Sequence, residues 1–592
     1  HTPDALETLL INIKEQFPLS KISLLFGCGG ERDQQKRPMM GAIAYKYCEN
    51  IYLTDDNPRS ENPKLIRNQI KKGFKYKKYF EIASRSKAIF HAIKNLNSGD
   101  ILIVAGKGHE NYQDYKKRKF FSDKLEIINA IKQKNKVLSK SLKTNILLET
   151  IKNKTINKET FVKSVSINSK SVSKNSIFFG IKGNKYDGNN YADEALNNGA
   201  ILAIVNKRNK IKKMIFQQTP LNFLNKISSI YRKSIDANTI AITGSAGKTS
   251  VKELTGFCLN KLGNTYFSKN SYNNKFGVPL SIFNAPEQSK FLVLEIGMDK
   301  KGEINYLSNL IRPNIGLITN ISYAHIKNFK NLDQIAQAKG ELIDNIICNG
   351  TMIVNMDDKY YKYFIHKSKK CGLKVFTFSQ KNYRADMLFL KQMKYKNNYL
   401  FKIKIKETIK TFLIPNELLN YRENILASLS IIINYFDAQK LNKNLLVGFK
   451  VPKSRGSLTT YKKGSKKLTI LDESYNSNPL SLKFSLERFD NIYKKKNKKF
   501  LLIGNMLELG NYSKKLHIKI ARYINNSKIN KIFVYGNYTR HTFNKLKPQI
   551  KGRILNNSME IYNLIKNDLP NNSILMVKGS NSTGLNKIIR NL

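Results

Sequence analysis

Paired cysteines are missing from this 592-residue chain: Cys28, Cys48, Cys258, Cys348 and Cys371 are scattered, with no CxxC pair and no His/Cys cluster at zinc spacing. Neither a disulfide framework nor a structural zinc is expected, and a reducing, cytoplasmic setting fits. No run of about 18 or more apolar residues marks a membrane span. Acidic residues are scarce, 43 against 103 lysines and arginines, which leaves a formal charge of +60. Such an excess can hold phosphate backbones through counterion release. Here it is mostly lysine, spread among asparagine and isoleucine, as in residues 132–136 and 494–499. That pattern points to coding bias, so no dedicated nucleic-acid role is expected, only a general preference for anionic substrates. The chain opens at His1, with no signal peptide before it, and reads as part of a longer frame.

The length exceeds one core, with roughly four domains as the prior. Residues 1–135 alternate apolar runs (Ile22–Phe26, Ile51–Leu53, Ile101–Ala105) with helical stretches (Met39–Tyr47, Pro63–Lys72). That alternation predicts a doubly wound parallel sheet, with ligand loops at the strands' carboxyl ends: 27–33, 55–59 and 106–110. A Lys/Asn-rich stretch, 136–160, reads as a linker, followed by a small mixed unit over 161–235 and a nucleotide unit over 236–450. The last segment, 451–592, again shows strands ending in loops, at Ile470–Leu471, Phe500–Ile503 and Ile574–Val577. The first and last segments look like two versions of one domain type with a single phosphate loop between them. The expected class is α/β and multidomain: Rossmann-like doubly wound parallel sheets with a P-loop-type central ATPase domain.

That loop is Thr243-Gly244-Ser245-Ala246-Gly247-Lys248-Thr249-Ser250, between a plausible strand at Ala237–Ile242 and a helix. The backbone N–H groups of such a turn, with a helix N-terminus behind them, cradle phosphate. Lys248 would reach the β/γ-phosphates, and the Thr249 hydroxyl would ligate Mg²⁺. Ile242 stands where the ordinary spacing has its first glycine, so the motif is the shorter GxxGKT. Glu295 closes the apolar run Phe291–Leu294, the place of a Mg²⁺ ligand or its water. His325 follows a second such strand, Ile315–Asn320; alone, it reads as an ordinary loop histidine. Lys339 falls within the apolar stripe of a helix predicted over Leu332–Ile346. A desolvated lysine there has a lowered pKa and can take up CO₂ as a carbamate, becoming an oxygen ligand for a second Mg²⁺; snorkelling at the stripe's edge is the alternative.

In combination these motifs resemble the Mur ligase family, which joins amino acids or dipeptides to UDP-N-acetylmuramoyl carriers. The segments carrying the resemblance are 243–250, 273–280, 295–298, His325, 338–341, 355–358, 472–479, 505–510 and 578–580. It implies a D-alanyl-D-alanine-adding ligase: ATP phosphorylates the carboxylate of UDP-MurNAc-tripeptide, and the dipeptide amine then displaces phosphate. It also implies Lys248, His325 and a carbamylated Lys339 as catalytic groups, Asn355 at the nucleotide, and Thr249, Glu295, His325 and Lys339 around Mg²⁺. Departures stand at Ile167-Asn-Ser-Lys170, Asn420-Tyr421, Gly504-Asn505 and Asn581.

Residues 1–135 resemble the carboxyl-terminal domain of a meso-diaminopimelate-adding member. The resemblance implies that Arg32, Asp56, Asn57, Pro58, Arg59, Gly106 and Glu110 surround an amino acid with two ammonium and two carboxylate groups, for which Arg forks and acidic acceptors are suited. The whole then reads as an orphan domain fused to one complete ligase. A folylpolyglutamate synthetase-like ligase and a basic nucleic-acid-binding scaffold are the alternatives.

Overall fold

The computed structural model describes residues 2–18, 20–74, 79–97, 99–108, 110–151, 161–183, 186–208, 210–269, 271–491 and 498–592. Its first sheet is four-stranded and parallel, in the order Tyr79–Glu81, Asn50–Leu53, Ile22–Phe26, Ile101–Val104. Ile22–Phe26 is buried throughout, as a parallel strand covered on both faces requires. Tyr79–Glu81 gives no sequence signal because it is a three-residue edge strand, half-exposed and without an apolar run.

The expected linker is overturned over much of its length. A helix spans Asp123–Ile151, and Ile146 and Leu147 on it are buried in one core with Val162, Tyr231 and Phe283. Lys143, which reads as a solvated linker residue, is itself buried there, with its ammonium over the Tyr231 and Phe283 rings. Residues 152–160 of the expected linker lie outside the described residues.

A second parallel sheet runs Met214–Phe216, Ala200–Val205, Ser176–Phe179, Ser164–Ser166. The third has nine strands: Thr265–Phe267, Phe291–Glu295, Asn238–Thr243, Ile315–Ile318, Thr351–Asn355, Lys374–Ser379, Met387–Tyr395, Asn398–Ile405 and Thr408–Ile414. Its first seven are parallel and its last three form an antiparallel meander. The last sheet runs Ser457–Lys463, Lys466–Glu473, Ser573–Lys578, Lys499–Gly504, Lys531–Tyr535, Lys551–Leu555. From the Lys551 edge inward, its first four strands follow the chain order third, second, first, fourth, as in the first sheet. The two segments are versions of one design, and the α/β multidomain class holds.

Candidate active site

The phosphate loop leaves the buried strand Asn238–Thr243, flanked by Phe291–Glu295 and Ile315–Ile318, and enters the helix Lys248–Asn260. Gly244 has φ +146° and backs so closely on Thr319 that a β-carbon would overlap the threonine hydroxyl. Gly247, at φ +83°, caps the helix. Both positions therefore demand glycine, which accounts for the short spacing. Ser245 N–H donates to Asn320 O (2.8 Å), Ala246 N–H to Asn320 Oδ1 (2.9 Å), and Thr319 Oγ1 to Ala246 O (2.6 Å). Lys248 Nζ donates to Gly244 O at 2.8 Å. Burial pushes this ammonium below the ordinary lysine range, against the attraction of Glu295 and Glu508.

Thr249 Oγ1 donates to Glu295 Oε2 at 2.6 Å, and Asn273 Nδ2 donates to Oε1 at 2.7 Å, so the buried carboxylate is held by both oxygens on the cleft floor. His325, in the left-handed region at φ +59°, places Nδ1 2.7 Å from Glu508 Oε2 and 3.5 Å from Asp299 Oδ1. The imidazole holds the Glu508 carboxyl below its usual range. Among the described residues no three His, Cys, Asp or Glu side chains gather as a metal site. Thr249 and Glu295 are in contact, His325 faces the cleft beside Glu508, and Lys339 lies behind the wall.

The helix carrying Lys339 is shorter than expected: it spans Leu332–Gly340 and a separate turn covers Ile343–Asn345. Gly340 ends the α-helical ladder, and the chain continues with the apolar side chains still inward. Lys339 is 1% exposed, and its ammonium makes no hydrogen bond or ion pair within the described residues. Burial drives its pKa well below the ordinary lysine value, and the charge on Lys248 adds to the effect. Asn355 also stands one step behind the cleft, with Nδ2 donating to Thr319 O and to Glu423 Oε1, each at 3.1 Å.

The cleft encloses about 1080 Å³ and draws its walls from Leu221, from the loop and strand ends of the central sheet, and from the last segment. That segment is tied across it: Asn478 Nδ2 reaches Ser245 O (3.4 Å), Arg455 Nη2 donates to Ser271 Oγ (2.9 Å), and Arg455 stacks on Tyr475. Tyr421, at one departure from the family pattern, is a clasp. Its hydroxyl donates to Arg455 O at 2.9 Å and accepts from Arg488, which also pairs with Glu473 at 3.0 Å. At another departure, Asn505 Oδ1 accepts from the N–H groups of Tyr538 (3.1 Å) and Thr539 (3.2 Å), a task an amide oxygen performs as a carboxylate would. Glu423 and Arg455 were not singled out by the sequence, and Asn320 and Glu508 stood in noted segments without a role of their own, because no local spacing announces residues whose partners lie in other segments.

In the first segment Asp56, Asn57 and Glu110 surround the fully buried Lys107, Gly106 backs on Asp56, and Pro58 and Arg59 lie instead against the Gly30 loop. Lys107 Nζ donates to Asn57 Oδ1 (2.7 Å) and Tyr112 O (2.6 Å) and lies 3.4 Å from Asp56 Oδ1 and 3.7 Å from Glu110 Oε2. Asn57 Nδ2 is thereby turned to Glu110 Oε2 at 2.8 Å. The Arg59 guanidinium donates to Gly30 O, while Arg32 stays exposed on the neighbouring loop.

Three family models match: the Mur ligase middle domain over residues 242–431, the Mur ligase glutamate ligase domain over 1–108, and the Mur ligase family catalytic domain over 161–252. A UDP-N-acetylmuramoyl-tripeptide--D-alanyl-D-alanine ligase of Buchnera aphidicola subsp. Baizongia pistaciae is 32% identical over 424 residues, 70% of this chain and 89% of that one. The chain belongs to the Mur ligase family. As a Mur ligase it is an ATP-dependent ligase. A second relative, the UDP-N-acetylmuramoyl-L-alanyl-D-glutamate--2,6-diaminopimelate ligase of Rickettsia typhi, is 51% identical over 129 residues, 22% of this Mur ligase and only 26% of that one. The fold is shared with a MurF crystal structure from Acinetobacter baumannii at TM-score 0.65 and 21% identity, covering 76% of this chain and 98% of the other. No helix among the described residues is long and apolar enough to cross a membrane.

Proposed function

We propose that residues 161–592 join D-alanyl-D-alanine to UDP-N-acetylmuramoyl-tripeptide in the cytoplasm, using ATP. The observation that carries this reading is the Thr249–Glu295 pair beneath the phosphate loop, on the floor of a cleft walled by three segments. The tripeptide's terminal carboxylate attacks the γ-phosphorus and ADP leaves, giving an acyl phosphate. The dipeptide amine then adds to the acyl carbon, a proton is lost, and collapse of the tetrahedral intermediate expels phosphate. Lys248 and the loop N–H groups hold the phosphates of ATP, whose transfer depends on positioning and charge stabilisation. The oxygen donors Thr249 and Glu295 suit Mg²⁺, and His325 and a carbamate on Lys339 would add to them as the family resemblance implies. When bound, Mg²⁺ would neutralise charge on the transferring phosphoryl group. The assay is phosphate release with UDP-MurNAc-tripeptide, D-Ala-D-Ala and ATP, with folates as the competing substrate class. Turnover of folates without turnover of the tripeptide would sink this reading.

For residues 1–135, the Lys107-centred cluster supports a site for a diamino dicarboxylic acid, but this segment carries no phosphate loop of its own. The chain is therefore expected not to add meso-diaminopimelate to UDP-MurNAc-dipeptide. Product formation in that assay would show that the two segments share one loop.

A further inference from the structure

Glu423 occupies a junction around the phosphate loop. It stands in the first turn of the helix Arg422–Ile433 and faces the cleft. Its Oε1 accepts two amide N–H groups, from Asn320 Nδ2 and Asn355 Nδ2, each at 3.1 Å. The first bond turns the Asn320 amide so that its Oδ1 meets Ala246 N–H at 2.9 Å. The second holds Asn355 against Thr319 O, and Thr319 Oγ1 in turn donates to Ala246 O at 2.6 Å. One carboxylate thus orients both asparagines behind the loop residue Ala246, one on its N–H side and one on its C=O side.

The charges facing Glu423 are of its own sign. Asp357 and Asp358 lie on the loop after the strand Thr351–Asn355. Asp358 accepts from Ile321 N–H (2.7 Å) and Tyr360 N–H (2.8 Å), and Asp357 accepts from Ser379 Oγ (2.5 Å) and Gln380 N–H (2.7 Å). Arg422, on the same helix, turns away to Gln392 and stacks on Phe389. Lys248 is folded onto Gly244 O. No cation pairs with Glu423 among the described residues. Burial, opposed by the two amide bonds and reinforced by Asp358 and Asp357, pushes the Glu423 carboxyl up to about 7.

We propose that Glu423 is a positioning residue of the nucleotide site, setting the phosphate loop through Asn320 and repelling the nucleotide's phosphates when it is ionised. This rests on reading the cleft as the nucleotide site. The sign follows from the charges: a bound polyanion favours the neutral carboxyl. Below about pH 7 the group is already neutral, whereas at higher pH binding must take up a proton and weakens.

The test is the dissociation constant of ADP, measured on the full chain from about pH 6 to about pH 9, for wild type and Glu423→Gln. Glutamine keeps the oxygen that accepts both amides and removes the charge. The ratio of the two constants cancels the ionisation of ADP and of other lysines in the site. It is expected to lie near one at the low end and to rise toward about tenfold at the high end, one pKa unit's worth. Glu423→Asp keeps a carboxylate but draws it back, so it should retain the pH dependence and bind more weakly at every pH. Glu423→Ala should bind more weakly than Glu423→Gln even at low pH, because Asn320 loses its anchor. A flat ratio, or an aspartate profile as flat as the glutamine one, overturns the charge effect. Equal binding by the alanine and glutamine variants overturns the positioning. Wild type that fails to bind ADP at any pH refutes the nucleotide reading itself.

Discussion

Lys248→Ala is expected to reduce ATP-dependent ligation by about 10²–10³-fold, the scale for removing one preorganised donor from a charged transition state, or ~3–4 kcal/mol. The cleft gives the reason: Lys248 is the loop's own cation, reaching Gly244 O at 2.8 Å from the helix N-terminus. It is thus held where a phosphate oxygen would displace the carbonyl. Lys248→Arg should rescue little, since a planar fork does not fit a turn closed by Gly244 and Gly247. The fold should survive, because burial already works against this ammonium. Single-turnover phosphate release, with thermal unfolding alongside, separates the two effects. ATP turnover untouched by Lys248→Ala would favour the scaffold alternative, in which the core no longer performs chemistry.

Much of this was legible in the sequence where structure is local. Ile22–Phe26 and Phe291–Glu295 run as the apolar stretches predict, because a parallel strand covered on both faces is written as a continuous apolar run. The phosphate loop was legible because Gly244 and Gly247 are needed for backbone reasons that only glycine meets. Thr249 and Glu295, 46 residues apart, do touch. What escaped depends on contacts between segments. Glu423 gains its role from Asn320 and Asn355, Tyr421 from Arg455 and Arg488, and the helix through 136–151 from a core built by Tyr231 and Phe283. None of these partners sits at a helical or strand spacing from the residue it explains. Lys107 escaped for a related reason: a lysine inside a glycine-rich loop reads as solvated until Asp56, Asn57 and Glu110 are seen around it.

Lys339→Ala is expected to lose most ligation, and the native chain should be activated by bicarbonate. Lys339 is in electrostatic conflict: its ammonium is buried, makes no hydrogen bond or ion pair within the described residues, and lies in the field of Lys248. As an ammonium it would be both desolvated and repelled, so its pKa falls and the neutral amine is populated. A neutral amine can attack CO₂, giving after proton loss a carbamate whose negative charge is attracted by the same Lys248. Carbamylation would thus convert repulsion by Lys248 into attraction. The folded state sheds a proton that the unfolded chain retains up to the ordinary lysine range. Without CO₂, stability should therefore rise with pH above the lowered pKa until that range is reached. Lys339→Met, which removes the titrating group, should flatten that dependence and raise the unfolding temperature at neutral pH while abolishing activity. Activity in CO₂-stripped buffer, its recovery on adding bicarbonate, and a carbamate signal in ¹³C NMR with labelled bicarbonate are the measurements. A native chain equally active with and without bicarbonate, together with an active Lys339→Ala variant, would end the carbamate reading. Lys339 would then be a buried lysine that the fold merely tolerates.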